Sequence, residues 1–420
     1  MTQMWDVVIV GGGLAGYVAA NALAKRKGSI VILEKGKDVG GRARTNRIHG
    51  QYFNLGPHAF YKKGKAKTIL EEMGIRFHGK SPKLGGVLIE NQIEYSAPFT
   101  PLGFFSTNLL NGKERMEWVK VLFKMTNMDS EKLTNQTFQQ WVKQIAKSDK
   151  VQSLLYLLGR LATYCHAPEK VSAKIMVSHM KAVMGGVLYL DGGWQSLVDQ
   201  LHNRAVSSGV KVQTHTVVKQ IIAEEQQIRL VLSDGKDILG KHVIYTSAPN
   251  ELPNMVHCLK SSFFTNTIPV TGSTLDVALS QLPNPKRLFA MNLSDPLYYS
   301  VHSNVAKLSD DGKSIVLHLF KYHHPDEHID GKRVQKELHQ FLEKLQPDWQ
   351  KYQITSRYIP RLIVNQRFPQ IGDEKQLLRS KTEIPGLYIA GDWASPHSIL
   401  AEGAVTSGLQ AAQEILEKKR

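Results

Sequence analysis

Residues 7–16 read Val-Val-Ile-Val-Gly-Gly-Gly-Leu-Ala-Gly. Four apolar, β-branched residues in a row suit a strand buried on both faces of a parallel sheet. Gly11, Gly13 and Gly16 follow directly. Leu14, Ala15, Val18, Ala19, Ala22 and Leu23 then recur at helical spacing, and a second buried strand at Ile30–Leu33 ends on Glu34. Strand, glycine turn, helix, strand and carboxylate in this order predict a dinucleotide site. Gly11 permits the tight turn, Gly13 lets backbone approach a pyrophosphate, and Gly16 lets helix and strand pack closely. The phosphates would face the helix N-terminus at Leu14 and Ala15, where unpaired N–H groups and the helix dipole favour negative charge. Glu34, followed by Lys35, is placed to accept hydrogen bonds from ribose hydroxyls, and its charge disfavours the 2′-phosphate of NADP.

Two further segments favour FAD over NAD. Residues 39–44 (VGGRAR) follow the second strand, where Gly40 and Gly41 allow close backbone approach and Arg42 offers a planar donor fork to a phosphate. Residues 386–392 (GLYIAGD) read as a buried strand ending in Gly391 and Asp392, and a helix is predicted from about Gly403. Asp392 can accept from ribityl hydroxyls. Glu402, Gly403 and Ala404 would bring backbone N–H groups and a positive helix end to the flavin ring. Lys418, Lys419 and Arg420 complement the dipole at the other end of that helix.

With these motifs the chain resembles the FAD-dependent flavin amine oxidase superfamily, which includes phytoene desaturase-like and protoporphyrinogen oxidase-like enzymes. The matching residues are VVIVGGGLAG with Glu34, VGGRAR, Asn54-Leu55-Gly56-Pro57-His58, Asp191-Gly192-Gly193, and GLYIAGD with Ala401-Glu402-Gly403-Ala404. The resemblance implies an α/β protein: a Rossmann-type FAD-binding domain, doubly wound on a mainly parallel sheet, with an interleaved α+β substrate domain. It divides the chain into flavin-holding parts at 1–80, 187–255 and 370–420. The substrate domain would hold a mostly helical part at 81–186 and a sheet part at 256–369. Val218 has the place of the valine whose backbone contacts adenine, and Gly56, Pro57 and His58 would lie beside the flavin ring.

The same resemblance implies that a hydride passes from a substrate C–H to flavin N5, and that reduced flavin then passes electrons to oxygen, a quinone or another acceptor. His58 is the candidate acid, base or flavin partner, although a histidine in such a turn also serves as a plain support. Amine oxidases carry an aromatic residue two positions before the Glu-Gly-Ala segment; here that place is Leu400, and no counterpart of their flavin-side lysine stands out. An apolar wall at Leu400 suits a neutral, lipophilic small molecule better than a cationic amine. An amine or a tetrapyrrole is the alternative substrate.

The composition agrees with a packed, multi-domain chain: 420 residues, 42% hydrophobic and 21% charged. Cys165 and Cys258 match no disulfide framework or zinc spacing, which favours a reducing, cytoplasmic setting. Residues Met1 to Asp6 do not resemble a signal peptide, and no apolar run is long enough to span a bilayer. The net charge of +16 is concentrated early, with 15 Lys and Arg against 6 Asp and Glu in the first 90 residues. Such charge attracts nucleic acid, anionic lipid or an acidic substrate, or simply promotes solubility, lysine runs such as 62–67 being ordinary solvated faces. No RNA-binding module accompanies it, so no specific nucleic acid is expected, and a flavoprotein that binds RNA or protein is the remote reading. Phe104, Phe105, Leu109 and Leu110 near basic residues 113 and 115 suggest peripheral contact with an anionic membrane, core packing being the simpler account. His323, His324 and His328 in HHPDEH have no metal-binding spacing, and Pro325 breaks any helix, so a polar loop and no metal are expected.

Overall fold

The four residues Ile30–Leu33 are wholly buried, and so is the end of the neighbouring strand Met4–Val10. Both lie inside a seven-stranded sheet covered on each face. In this computed structural model, which describes residues 3–26, 28–83, 85–256, 259 and 262–417, parallel pairs run from Lys211–Gln213 through Ile30–Leu33 and Met4–Val10 to Asp237–Tyr245 and Leu387–Ile389. Ile228–Leu232 and Val218–Ala223 add an antiparallel extension, turning at Asp234-Gly235. Cys258 and the basic residues 418–420 lie outside the described residues.

Helices Leu14–Leu23 and Leu400–Glu417 pack together on one face of this sheet. Their contact is backbone to backbone: a Cβ on Gly408 would stand 2.5 Å from the Ala15 carbonyl oxygen. Gly16 does the same work between helix and strand, since a Cβ there would meet the Gly11 carbonyl at 2.2 Å. The C-terminal helix begins at Leu400, one turn before the expected start near Gly403, so Gly403 is interior to it.

A second seven-stranded sheet, mostly antiparallel, runs in the order Gln353–Asn365, Val270–Leu279, Ile315–Tyr322, Leu297–Val301, Phe289–Asn292, Val87–Glu90, Ile93–Ser96. The 81–186 stretch, expected to be mostly helical, therefore also supplies two strands. Its helices, among them Gly112–Asn127, Phe138–Ile145, Asp149–Thr163 and Ala173–Met184, bury one apolar face each in a common core beside this sheet. The molecule is the expected α/β fold with an interleaved α+β unit, and the chain enters the first sheet three separate times.

Candidate active site

One cavity of about 1420 Å³ runs from the glycine turn to the second sheet. It exceeds the roughly 300–1,000 Å³ of an ordinary small-molecule pocket and has room for a dinucleotide and a substrate together. Of the residues singled out in the sequence, Gly11, Gly13, Leu14, Ala15, Glu34, Lys35, Gly41, Arg42, Gly56, Pro57, His58, Val218, Gly391, Asp392, Glu402 and Ala404 line it. Gly16 and Gly403 do not line it; both are close-packing positions.

At the nucleotide end Gly11 has φ +112° and presses against Thr246, whereas a Cβ on Gly13 would meet nothing within 4 Å. Gly13 begins the helix with no side-chain cap, leaving the first-turn N–H groups directed at the cavity. The Glu34 carboxylate accepts from the Gly12 N–H at 2.8 Å and the Gly36 N–H at 2.7 Å, which fixes it beside the turn with lone pairs to spare. Lys35 is exposed and pairs with Glu251 at 3.5 Å. Uncapped N–H groups, open space at Gly13 and an anchored carboxylate fit the pyrophosphate and ribose of FAD.

In the middle of the cavity the candidate residues are bonded to the protein itself. Arg42 and Asp392, the expected partners of a phosphate and of ribityl hydroxyls, both line the cavity and bond each other in a bidentate pair at 2.6 and 2.7 Å, and Asp392 also accepts from the Gln366 N–H. Arg44 is half-buried on the cavity wall, and its Nε has no hydrogen-bond partner among the described residues. The Glu402 carboxylate accepts from the Ala66 N–H at 3.0 Å and abuts Gly64, capping helix Lys65–Glu72. Burial raises its pKa. The Gly403 N–H bonds the Ile399 carbonyl, and a Cβ there would meet the Asp392 carbonyl at 2.5 Å, so this glycine brings helix and strand end together.

Leu400, at the first position of that helix, lines the cavity with φ +58°, a conformation that costs a branched residue about 1–2 kcal/mol. Asn365 holds it: buried, its Oδ1 accepts from the Leu400 N–H at 2.8 Å and its Nδ2 donates to the Arg367 carbonyl at 2.7 Å. Asn365→Ala leaves both backbone groups unpartnered. It is expected to lower unfolding stability by about 1–3 kcal/mol, read as a shifted urea midpoint.

The substrate end is walled by Trp194, Tyr189, Tyr298, Phe320, Tyr322 and Leu362, all buried. Here the 54–58 turn is fixed from several sides. Gly56 has φ +87°, the Tyr164 hydroxyl donates to the Pro57 carbonyl, and the His58 ring stands edge-on to Trp194 with centroids 4.9 Å apart. His58 Nδ1 lies 2.9 Å from the Gly56 carbonyl oxygen. Burial pushes the His58 pKa down to about 4, outweighing the carbonyls that favour its charged form, so the ring is neutral near pH 7.

A second imidazole at this end, His302, is not marked by any motif. It stacks on Tyr189 with centroids 3.9 Å apart and meets the Tyr298 hydroxyl at 3.4 Å; burial holds its pKa well below the ordinary value. Beneath it lies a buried charge network. Asp276 accepts from His318 Nδ1 at 2.6 Å, the Thr274 hydroxyl at 3.0 Å and Arg357 Nε at 2.9 Å. Burial works to raise the Asp276 pKa, but its bonds to His318 and the charge of Arg357 hold it below the usual range. Arg357 also donates to Asn46 Oδ1 and to the Asn54 carbonyl, which ties the network to the turn bearing His58. The sequence offered one signal: Asp276 is a lone carboxylate in the buried strand VTGSTLDVAL, where a charge requires partners.

Other expectations separate. In HHPDEH, buried His323 contacts the Ser273 hydroxyl at 2.9 Å while His324 contacts Glu169 at 2.9 Å. Among the described residues no His, Cys, Asp or Glu cluster could hold a metal. Asp191-Gly192-Gly193 lies outside the lining; Gly193 packs against Thr45 and Asn54, and the Asp191 carboxylate accepts from the Lys307 N–H. Leu109 and Leu110 are core residues, whereas Phe105 is exposed.

The model of the family "flavin containing amine oxidoreductase" matches residues 14–416. The chain is 24% identical over 279 residues to a probable flavin-containing monoamine oxidase A of Dictyostelium discoideum, covering 61% of this chain and 60% of that one. It is 24% identical over 268 residues to a 4,4′-diapophytoene desaturase of Staphylococcus haemolyticus, covering 56% and 52%. The matched segment spans about half to 60% of the length of such curated relatives. Among solved structures, a putative protoporphyrinogen oxidase from Exiguobacterium sp. 255-15 shares the fold, with a TM-score of 0.76 at 18% identity and full coverage of both chains.

Proposed function

Because the chain belongs to the flavin containing amine oxidoreductase family, with FAD as its cofactor, we propose that it is an FAD-dependent oxidoreductase of desaturase or dehydrogenase type. Its substrate is a neutral, lipophilic small molecule. The carrying observation is the substrate end of the cavity, where aromatic and aliphatic side chains predominate and the described residues offer no available carboxylate. The acidic lining residues are Glu34, Asp38 and Glu251 at the nucleotide end, and Asp392 and Glu402, each bonded to protein. The lining lysines, Lys35, Lys62, Lys83 and Lys286, are all exposed. A cationic amine would lack a counter-charge here, so its desolvation on entering the cavity would go uncompensated. The desaturase relative acts, by its name, on a substrate of the favoured kind.

The bound flavin supplies a two-electron acceptor. Glu34 would accept from ribose hydroxyls, the N-terminus of helix Leu14–Leu23 and Arg44 would face the pyrophosphate, and Val218 would lie along the adenine. The aromatic wall excludes water and orients the substrate. His58, neutral and held between Trp194 and the Gly56 carbonyl, is the proposed proton-handling group. His58→Ala is expected to lower turnover roughly 100-fold with the flavin spectrum retained; unchanged turnover and spectrum would remove it from the chemistry. The division of the chain at residues 80, 186, 255 and 369 belongs to the same reading.

The test is optical. The purified protein should be yellow, with flavin bands that bleach anaerobically on addition of an unsaturated isoprenoid dispersed in detergent. Bleaching by primary amines or a porphyrinogen alone would replace the substrate class, and a colourless protein that does not take up FAD would overturn the reading. A substrate of this kind resides in bilayers, so the proposal includes peripheral contact with an anionic membrane; no helix among the described residues is long and apolar enough to cross one.

A further inference from the structure

Two helices beside the cavity carry apolar side chains on their solvent side. Pro101–Ser106 presents Leu102 and Phe105, 81% and 76% exposed, and Gly112–Asn127 presents Met116, Val119 and Phe123, 61%, 50% and 70% exposed. Met116, Val119 and Phe123 fall at i, i+3 and i+7, on one helix face. The other face of that helix, Trp118, Val121 and Met125, is buried in the core. The helix is thus apolar on both sides, which packing within the chain does not require.

The exposed groups are held in place. The Arg115 guanidinium reaches from the longer helix to donate to the carbonyls of Phe104, Phe105, Thr107 and Leu110, and it lies 5.8 Å from the Phe104 ring centroid. Charge on the same helix is sorted as well. Glu114 caps its N-terminus and bonds the Ser148 hydroxyl, and Glu117 accepts from the Lys147 and Ser148 N–H groups. Lys113, Lys120 and Lys124 are exposed, with no ion pair among the described residues.

This face adjoins the cavity. Phe99, two residues before the short helix, lines it, as do Lys83, Gly85 and Gly86, and the Ala97 N–H bonds the Gly86 carbonyl at 3.0 Å. Lys62, Lys286 and Arg361 are further exposed lining residues without ion pairs among the described residues. A second copy of the chain would set cation against cation across a two-fold interface; an anionic lipid surface matches both the apolar groups and the lysines.

We infer that helices Pro101–Ser106 and Gly112–Asn127 dock the protein on an anionic bilayer and set the adjoining edge of the cavity to receive substrate from it. This rests on the lipophilic-substrate reading. It is tested by flotation of the FAD-loaded protein with phosphatidylcholine vesicles, with and without about one-third phosphatidylglycerol. Wild type should float with the anionic vesicles at low salt. Phe105→Ser/Phe123→Ser should bind roughly tenfold less, and Lys113→Glu/Lys120→Glu should lose the preference for phosphatidylglycerol. All four positions are exposed, and unchanged flavin absorbance and melting temperature would report an intact fold. Wild type that stays with the soluble fraction, a serine variant that floats as wild type does, or dimerisation through this face without vesicle binding would overturn the inference. Detergent-dispersed substrate separates the two claims: bleaching without vesicle binding sinks the docking face alone, and vesicle binding without bleaching sinks the substrate reading alone.

Discussion

Lowering the pH from about 7 to 5 is expected to cost the protein several kcal/mol of stability. Burial pushes His58, His166, His179 and His323 down to about 4, and His302 further. In the unfolded chain these rings take up protons near their ordinary value of about 6.5, while in the folded chain they do not until about pH 4. Between those values the unfolded state binds more protons. Their contribution is therefore complete above about pH 6.5 and falls as pH drops through the window, by roughly 1–2 kcal/mol for each well-buried ring at pH 5. His179 shows the structural consequence: its Nε2 accepts from the Ile399 N–H at 3.2 Å, and protonation would break that bond at the entrance to the C-terminal helix. Urea midpoints at pH 7.5, 6 and 5 measure the effect. A midpoint unmoved at pH 5 would mean these rings are not held neutral by the fold.

Asp276→Ala is expected to be the most damaging single substitution at the substrate end. It strands the Arg357 cation, which is largely buried, and leaves His318 Nδ1 without its acceptor; removing one member of a buried pair costs about 3–5 kcal/mol. Because Arg357 also holds the Asn54 carbonyl, the turn bearing His58 loses an anchor, and weaker FAD retention should accompany the lower urea midpoint. Asp276→Asn keeps the shape and some of the bonds and should lie between the two. An alanine variant within about 1 kcal/mol of wild type would show that the network does not hold the turn.

Asp276 also shows where sequence reading ended. The glycine turn and Glu34 were legible because every interaction that defines them lies within one strand-helix-strand unit, so spacing along the chain encodes position in space. Asp276, His318 and Arg357 meet because their strands pair with His318 and Arg357 directly opposite Asp276 on its two sides. Pairing register across gaps of 42 and 81 residues leaves no local pattern. Arg42 and Asp392 were legible as site residues, but their bond to each other was not, since nothing along the chain sets two segments 350 residues apart face to face. Gly403 meets a related limit: a glycine near a helix start fits both a ligand approach and a chain crossing, and the Asp392 carbonyl that gives the crossing its reason comes from another segment.

The contact between Gly408 and Ala15 has a bearing on synthesis. The glycine-turn helix emerges from the ribosome roughly 390 residues ahead of the helix that covers it, and at ordinary elongation rates of about 5–20 residues per second that interval is on the order of 20–80 s. During it the nascent chain carries the phosphate-facing turn without the strand and helix that enclose the rest of the cavity. Nascent chains halted before residue 386 are therefore expected to retain no flavin, so that loading of the cofactor follows emergence of helix Leu400–Glu417.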